Sequence, residues 1–362
     1  MPELERTPLF DFHVAHGGRM VPFAGWEMPV QYTGIIEEHL AVRRTAGLFD
    51  VSHMGECRVA GPDAATFLDR VMTQLLSTIP IGMARYTIMC QSDGGCVDDL
   101  IVYRLDAETF LICLNASNAA KDIAWLREHA GTDRVTIIDE CRDWAQLALQ
   151  GPLAETILAG LTSANLAAIK RFGFITTTVA GCTGCLVSRT GYTGSAGFEI
   201  YLPAAHATQV AEAIWHGGKP QGLLLAGLGC RDSLRLEAGY PLYGHEISET
   251  LSPIQAGLGW AVKFTKPAFV GRDALKRQAD GALTEKVVAF SLNDRRIARQ
   301  GTAVLTGTQQ VGQVLSGTLS PLLNKPIGTA LVSLTALQQG QLEVDLRGNR
   351  VPLIVSSEPF YK

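Results

Sequence analysis

The stretch from 86 to 105 constrains this chain more than any other. "YTIMCQ" (86–91) and "CVDDLIVYRL" (96–105) flank "SDGG", a turn composition between two runs of strand-like alternation. The spacing predicts an antiparallel hairpin, and "TFLICLN" (109–115) continues it as a meander. A meander needs no crossover helix, so this region is not part of a repeating βαβ sheet. Two adjacent aspartates, Asp98 and Asp99, lie inside the second strand, where an ionised carboxylate is costly to bury unpaired. Alternation separates them. Val97, Asp99, Ile101, Tyr103 and Leu105 share one face; Cys96, Asp98, Leu100, Val102 and Arg104 share the other. With Gln91 opposite Cys96, Tyr86 faces Ile101, and one face carries Tyr86, Asp99 and Tyr103. An apolar floor with one carboxylate and two phenols suits the wall of a small-molecule pocket. The ordinary alternative is a buried aspartate bonded to backbone amides. Asp98 is read as structural, with Arg104 on its own face as partner.

The rest of the chain mixes short strands and helices. "TGIIEEHLAVRRTAG" reads as a helix capped by Thr33 and ended by Gly47. "LFDVSHMGECRVAG" alternates as a strand, and "PDAATFLDRVMT", "NAAKDIAWLREHAG", "AHATQVAEAIWHGG" and "LGCRDSLRLEAG" read as helices. This order predicts an α+β fold, and 362 residues imply two or three domains. Residues 1–275 form the α+β region, the polar stretch 276–286 is a connector, and 287–362 reads as a small all-β domain. A net charge of −4 offers no electrostatic case for nucleic acid. The eight cysteines are scattered through apolar runs and act as small hydrophobes. No apolar run is long enough to span a bilayer. The opening residues resemble neither a secretory signal nor a transit peptide, so a cytoplasmic protein is expected, or a mature organellar form.

Several motifs invite chemistry. "RTGYTGSAGFEI" (189–200) has glycines at 191, 194 and 197, but a strand follows where a dinucleotide loop needs a helix. The glycines instead let the loop approach something closely. Glu199 follows; its carboxylate can accept two parallel N–H donors such as those of a pterin's amino-pyrimidinone edge, or it is a plain strand glutamate. Arg231 and Arg235 share a helix face, either as a solvated ion-pair surface with Asp232 and Glu237 or with one arginine turned to a ligand. "DVSHM" (50–54) is not a Ser-His-Asp relay, because strand alternation points His53 away from Asp50 and Ser52. Cys182 and Cys185 form an isolated C-x-x-C, for which packing outweighs a metal or redox role. The histidines are dispersed without ligand spacing, and no metal site is expected.

Taken together and in order, "VPFAGWEMPVQY", "LFDVSHMGE", "GGCVDDLIVY", "LNASNAAKD", "LQGP", "RTGYTGSAGFEIYL", "GCRDSLRLEAGYPLYG", "SPIQAGLGW" and "SGTLSP" resemble the T-protein family of the glycine cleavage system. The resemblance runs from about the tenth residue to the C-terminus. It implies a multi-domain folate-binding aminomethyltransferase fold: two interleaved α+β domains around a folate hole, then a C-terminal β-barrel. It implies transfer of the one-carbon unit from an aminomethyl group on the lipoyl arm of H protein to tetrahydrofolate, yielding methylene-tetrahydrofolate, ammonia and the dihydrolipoyl arm. It assigns the catalytic role to Asp99, near folate N10. It places Met54, Tyr86, Tyr103, Asn115, Tyr192, Glu199, Arg231 and Tyr240 at the folate. The protein would be a monomer forming transient complexes, with Arg295, Arg296 and Arg299 as a local docking cluster. Ser195 stands where the family often has an acidic residue. Two rivals share the fold. Iron–sulfur maintenance factors carry a K-G-C signature, and "KGC" is absent here. A folate-dependent demethylase would differ on the donor side alone.

Overall fold

In the computed structural model, which describes residues 3–361, the central hairpin closes one residue earlier than the spacing predicts. Gln91 O accepts from Gly94 N (3.0 Å), and Gln91 N donates to Gly95 O (2.8 Å). Gly94 occupies the extra place with φ +96°, a backbone region that glycine enters at little cost. Gln91 therefore pairs with Gly95 and not with Cys96. The two arms, Ala84–Cys90 and Cys96–Arg104, open a five-stranded sheet continued by Thr109–Leu114, Gly55–Ala60 and Thr136–Asp139. The single strand expected at 48–61 is two: Ala46–Asp50 ends where the chain turns at 51–54, with Met54 N bonded to Val51 O. Ala46–Asp50 joins a different, six-stranded sheet in the order Phe174–Val179, Cys182–Ser188, Gly197–Pro203, Trp144–Gln150, Ala46–Asp50, Leu223–Leu225. Its pairs are antiparallel except for the last, which is parallel.

Helix Ile35–Arg44 corrects the expected cap. Gly34, not Thr33, is its N-cap and offers no side chain. The buried Glu38 serves instead: Oε1 accepts from Tyr32 N (2.6 Å) and Gly34 N (3.2 Å), and Oε2 accepts from Gly227 N (2.9 Å). An acid in the first turn thus satisfies amides that the helix leaves orphaned.

After residue 284 the chain is almost entirely β. Six strands close a barrel in the order Glu285–Leu292, Lys325–Ser333, Gln309–Ser320, Ala303–Thr306, Glu343–Asp345, Arg350–Ser356. Closure of the ring leaves none of these six strands as a sheet edge, and the interior is filled by Phe290, Leu292, Val304, Val314, Val332 and Val344. The connector read at 276–286 contains the end of helix Arg272–Arg277 and the helical turn Gln278–Ala282. No helix among the described residues is long and apolar enough to cross a membrane.

The chain divides into two units. The first holds residues up to Ala64, Thr78–Arg85 and Ile101–Leu234; the second holds Ala65–Ser77, Tyr86–Leu100 and the chain from Arg235 on. The first unit's main core packs Leu48, Leu147, Leu149, Phe198 and Ile200 against helix Ala207–Gly218 through Val210 and Ile214. In the second unit the expected solvated arginine surface is buried. Arg235 is fully enclosed and pairs with Glu246 at 2.9 Å, while donating also to Ser316 Oγ (2.8 Å) and Tyr240 O (3.2 Å). Glu237 accepts from Ser320 Oγ (2.5 Å). Burial alone would push the Glu246 carboxyl up; the Arg235 charge, the Thr329 and Ser316 hydroxyls and the Leu242 amide outweigh it and hold it down.

Glu56, on strand Gly55–Ala60, is the opposite case. It is buried, and neither carboxyl oxygen has a hydrogen-bond partner among the described residues. Burial, with the Glu140 charge adding to it, pushes its carboxyl well above the usual range. The folded state then binds this proton more tightly than the unfolded chain. Its stabilising effect is complete below the unfolded value of about 4.3 and fades as pH rises toward the folded one.

Two outcomes follow from these groups. Arg235→Met strands Glu246 and should lower unfolding stability by about 3–5 kcal/mol, read from the urea midpoint; an unchanged midpoint would show that the pair carries no weight. Glu56→Gln should raise the melting temperature by roughly 2–4 °C at pH 8 and by clearly less at pH 4.5; equal shifts at both would contradict a neutral buried acid.

Candidate functional site

The expected site residues fall into two groups, one in each unit. In the second unit, Asp98 is wholly buried and Asp99 is partly exposed. Tyr86 Oη donates to Asp99 Oδ2 at 3.0 Å. The Tyr86 ring is itself stacked on Trp260, 5.4 Å between centroids and 29° between planes. Trp260 is 60% exposed, so this carboxylate–phenol pair adjoins a large aromatic surface. Nothing local in "SPIQAGLGW" marks this tryptophan for a role. Tyr240, also in this unit, is partly buried, and its backbone is bonded in both directions to Arg235. Arg104, expected beside Asp98, donates to the carbonyls of Ile79 (2.8 Å), Asp106 (3.2 Å) and Ala107 (3.3 Å).

In the first unit the focus is Glu199, 8% exposed on strand Gly197–Pro203. Thr190 Oγ1 donates to Glu199 Oε2 at 2.5 Å. Burial pushes the Glu199 carboxyl up, and the Thr190 hydroxyl and the Arg231 charge pull against it without cancelling it. Tyr103 is fully buried, and its hydroxyl lies 3.3 Å from Thr190 Oγ1 and 3.1 Å from Tyr201 Oη. It stands one link behind Glu199. Arg231 places its guanidinium 4.7 Å from the centroid of the Tyr192 ring, a cation–π contact. His53 lies in the turn at 51–54 with Nδ1 buried and without a hydrogen-bond partner among the described residues. Burial, reinforced by Arg231, lowers its pKa to about 4, so the imidazole is neutral near pH 7. Met54, in the same turn, packs against two apolar clusters, one that contains Phe49 and Cys230 and one that contains Tyr103 and Tyr201. Asn115 ends strand Thr109–Leu114 and is partly exposed.

The glycine-rich loop has an internal explanation. A Cβ on Gly191 would lie 2.0 Å from Gln150 Oε1, and one on Gly197 would lie 2.7 Å from Gln150 Nε2. The loop wraps the Gln150 carboxamide, which donates to Thr190 O and Phe198 O and accepts from Thr193 Oγ1. From the other side, the buried Arg43 donates to Thr193 O (2.6 Å), Ser195 Oγ (2.9 Å) and Leu234 O (3.3 Å). One guanidinium therefore ties the loop carrying Tyr192 to the helix Leu228–Glu237 carrying Arg231. Gln150 and Arg43 escape a sequence reading because nothing in "LQGP" or "AVRRT" marks them apart from ordinary polar residues.

The discarded motifs resolve structurally. Asp50 Oδ2 accepts from Thr7 Oγ1 (2.7 Å) and meets His13 Nε2 (2.8 Å), so it is engaged away from His53. Cys185 Sγ donates to Cys182 O inside the first unit's core. No cluster of potential metal ligands occurs among the described residues. Within the arginine cluster, Arg296 is held by Asp294 and by Leu346 O, and Arg299 donates to Gly317 O. The two site groups offer distinct chemistry: a half-exposed carboxylate oriented by a phenol, and a buried carboxylate beside a guanidinium that can accept a donor pair.

Two family models match the chain. "GCVT N-terminal domain" covers residues 9–266, and "Glycine cleavage T-protein C-terminal barrel domain" covers residues 286–362. A protein of Desulforamulus reducens named aminomethyltransferase is 47% identical over 363 residues, covering 100% of this chain and 99% of that one. One of Anoxybacillus flavithermus with the same name is 47% identical over 362 residues, covering 99% of each. The crystal structure of glycine cleavage system aminomethyltransferase T from Bartonella henselae matches with a TM-score of 0.92 at 33% identity, over 99% of this chain and 98% of that one. Matched by both models and aligned end to end with these relatives, the chain belongs to the glycine cleavage T-protein family.

Proposed function

We propose that this protein is an aminomethyltransferase that passes the one-carbon unit of an aminomethyl group to tetrahydrofolate, releasing ammonia and forming 5,10-methylenetetrahydrofolate. The donor is the lipoyl arm of H protein. One observation carries the reading: a chain aligned end to end with aminomethyltransferases buries Glu199 with the Thr190 hydroxyl donating to it and the Arg231 charge acting on it. A buried carboxylate needs donors, and the amino-pyrimidinone edge of a folate brings two N–H groups side by side.

In this reading Glu199 binds the pterin edge, and Arg231, held over Tyr192, bounds the same ligand. Met54 and Asn115 flank the pterin, and Tyr240 contributes a less specific contact. Tyr103, fully enclosed, supports Glu199 through Thr190. Asp99 is the catalytic residue, and its carboxyl, oriented by the Tyr86 hydroxyl, holds or accepts a proton at N10. Trp260 stacks on Tyr86 and supplies an apolar wall beside Asp99. Bringing donor and acceptor together away from water lowers the barrier by orientation as well as by charge.

The direct test follows ammonia release from aminomethylated H protein with and without tetrahydrofolate. Strong stimulation by the folate is expected, and none would defeat the reading. Asp99→Asn should lower turnover by at least about 10²-fold while folate affinity stays within a few-fold; near-normal turnover would remove Asp99 from the chemistry.

A further inference from the structure

A line of side chains in the first unit ends on Glu199. Gln146 Nε2 donates to Tyr201 Oη at 3.0 Å. The Tyr201 and Tyr103 hydroxyls are 3.1 Å apart, Tyr103 Oη and Thr190 Oγ1 are 3.3 Å apart, and Thr190 Oγ1 reaches Glu199 Oε2 at 2.5 Å. Gln146, Tyr201 and Tyr103 are all fully enclosed. Tyr201 lies two residues beyond Glu199 on the same strand, so both side chains leave the same face.

Counting protons gives the line a direction. An ionised carboxylate can only accept, so the Thr190 hydroxyl gives its one proton to Glu199. Thr190 must then accept from Tyr103 with one lone pair and from Ser188 Oγ, 3.0 Å away, with the other, and Tyr103 in turn must accept from Tyr201. Tyr201 accepts from Gln146, whose amide nitrogen can only donate. Each hydroxyl thus has its single proton pointed toward Glu199, and hydrogen bonds in such a chain polarise one another. The titratable groups facing Glu199 are Arg231, Tyr103, Tyr201 and Cys113. Burial keeps both phenols and the thiol protonated, which leaves Arg231 and the relay to favour the ionised acid.

We propose that Tyr201 and Gln146 are positioning residues which act through Tyr103 and Thr190 to keep Glu199 ionised and aimed at the paired N–H donors of a 2-amino-pyrimidinone ring. This rests on the reading of Glu199 as the pterin-binding carboxylate. It adds that recognition of that ring is set three and four hydrogen bonds behind Glu199, by residues that never touch it.

The experiment measures tetrahydrofolate binding and steady-state kinetics against pH for the full-length protein, Tyr201→Phe, Gln146→Met, the double variant and Glu199→Gln. Tyr201→Phe removes one oxygen and keeps the ring that packs edge-on to Tyr103 at 5.3 Å. Gln146→Met removes the first donor at similar volume, so either variant tests the relay should the other fail to fold. Each should raise the folate KM roughly fivefold, the equivalent of one net hydrogen bond, with kcat changing less than KM. Binding should be lost at a higher pH on the acid side, because Glu199 takes up its proton sooner. The double variant should match the worse single variant, as members of one chain do not add. An unmoved acid limb and unchanged KM in both single variants, with Glu199→Gln still impaired, would overturn the relay and leave the Glu199 reading standing. Unimpaired binding in Glu199→Gln would overturn both.

Discussion

The cost of burying a carboxylate organises this molecule. Glu38 is met by three backbone amides and closes the start of a helix. Asp50 is met by Thr7, His13 and the Ser52 amide. Glu246 is met by Arg235, Thr329 and the Leu242 amide. For Asp50 and Glu246 the partners outweigh burial, and both carboxyls are held below the usual range. These acids are architectural because their hydrogen bonding is completed within the fold.

Glu199 differs in degree. Its one hydroxyl donor and the nearby Arg231 charge do not cancel the effect of burial, and its carboxyl remains raised. The fold keeps the carboxylate nearly enclosed and supplies part of what it needs; under the proposed function the N–H donors of the folate supply the rest. The surrounding loop is rigid for reasons of its own. Gln150 fills the space that side chains at 191 and 197 would take, and Arg43 ties the loop to the neighbouring helix. Under the proposed function, preorganisation of this kind spares the folate the cost of ordering the loop.

Much of this was legible in the sequence, residue by residue. Turn chemistry announced the hairpin, short alternating runs after 286 announced the all-β end, and the strand glutamate at 199 stood out because a carboxylate there needs a reason. What was not legible has a common cause. The register of the hairpin turned on whether Gly94 joins the ladder or bulges from it, a choice worth little locally and visible only in the hydrogen bonds. The helix 228–237 looked like a solvated ion-pair surface, since i,i+4 charges usually are, but its Arg235 meets an acid eleven positions away that helical spacing cannot reveal. Trp260, Gln150 and Arg43 were ordinary letters until distant segments were placed against them.

By itself the sequence determined the fold class, the antiparallel meander, the separation of Asp98 from Asp99 and the candidates for chemistry, because each depends on local periodicity, turn propensity or an ordered set of motifs. Tertiary structure alone decided which carboxylates are satisfied and which are not. It also decided that the glycine loop wraps a glutamine of its own chain, and that a phenol and an amide stand behind Glu199. Those outcomes depend on distances between residues far apart in the chain, set by how sheets and helices pack, and no local pattern encodes them.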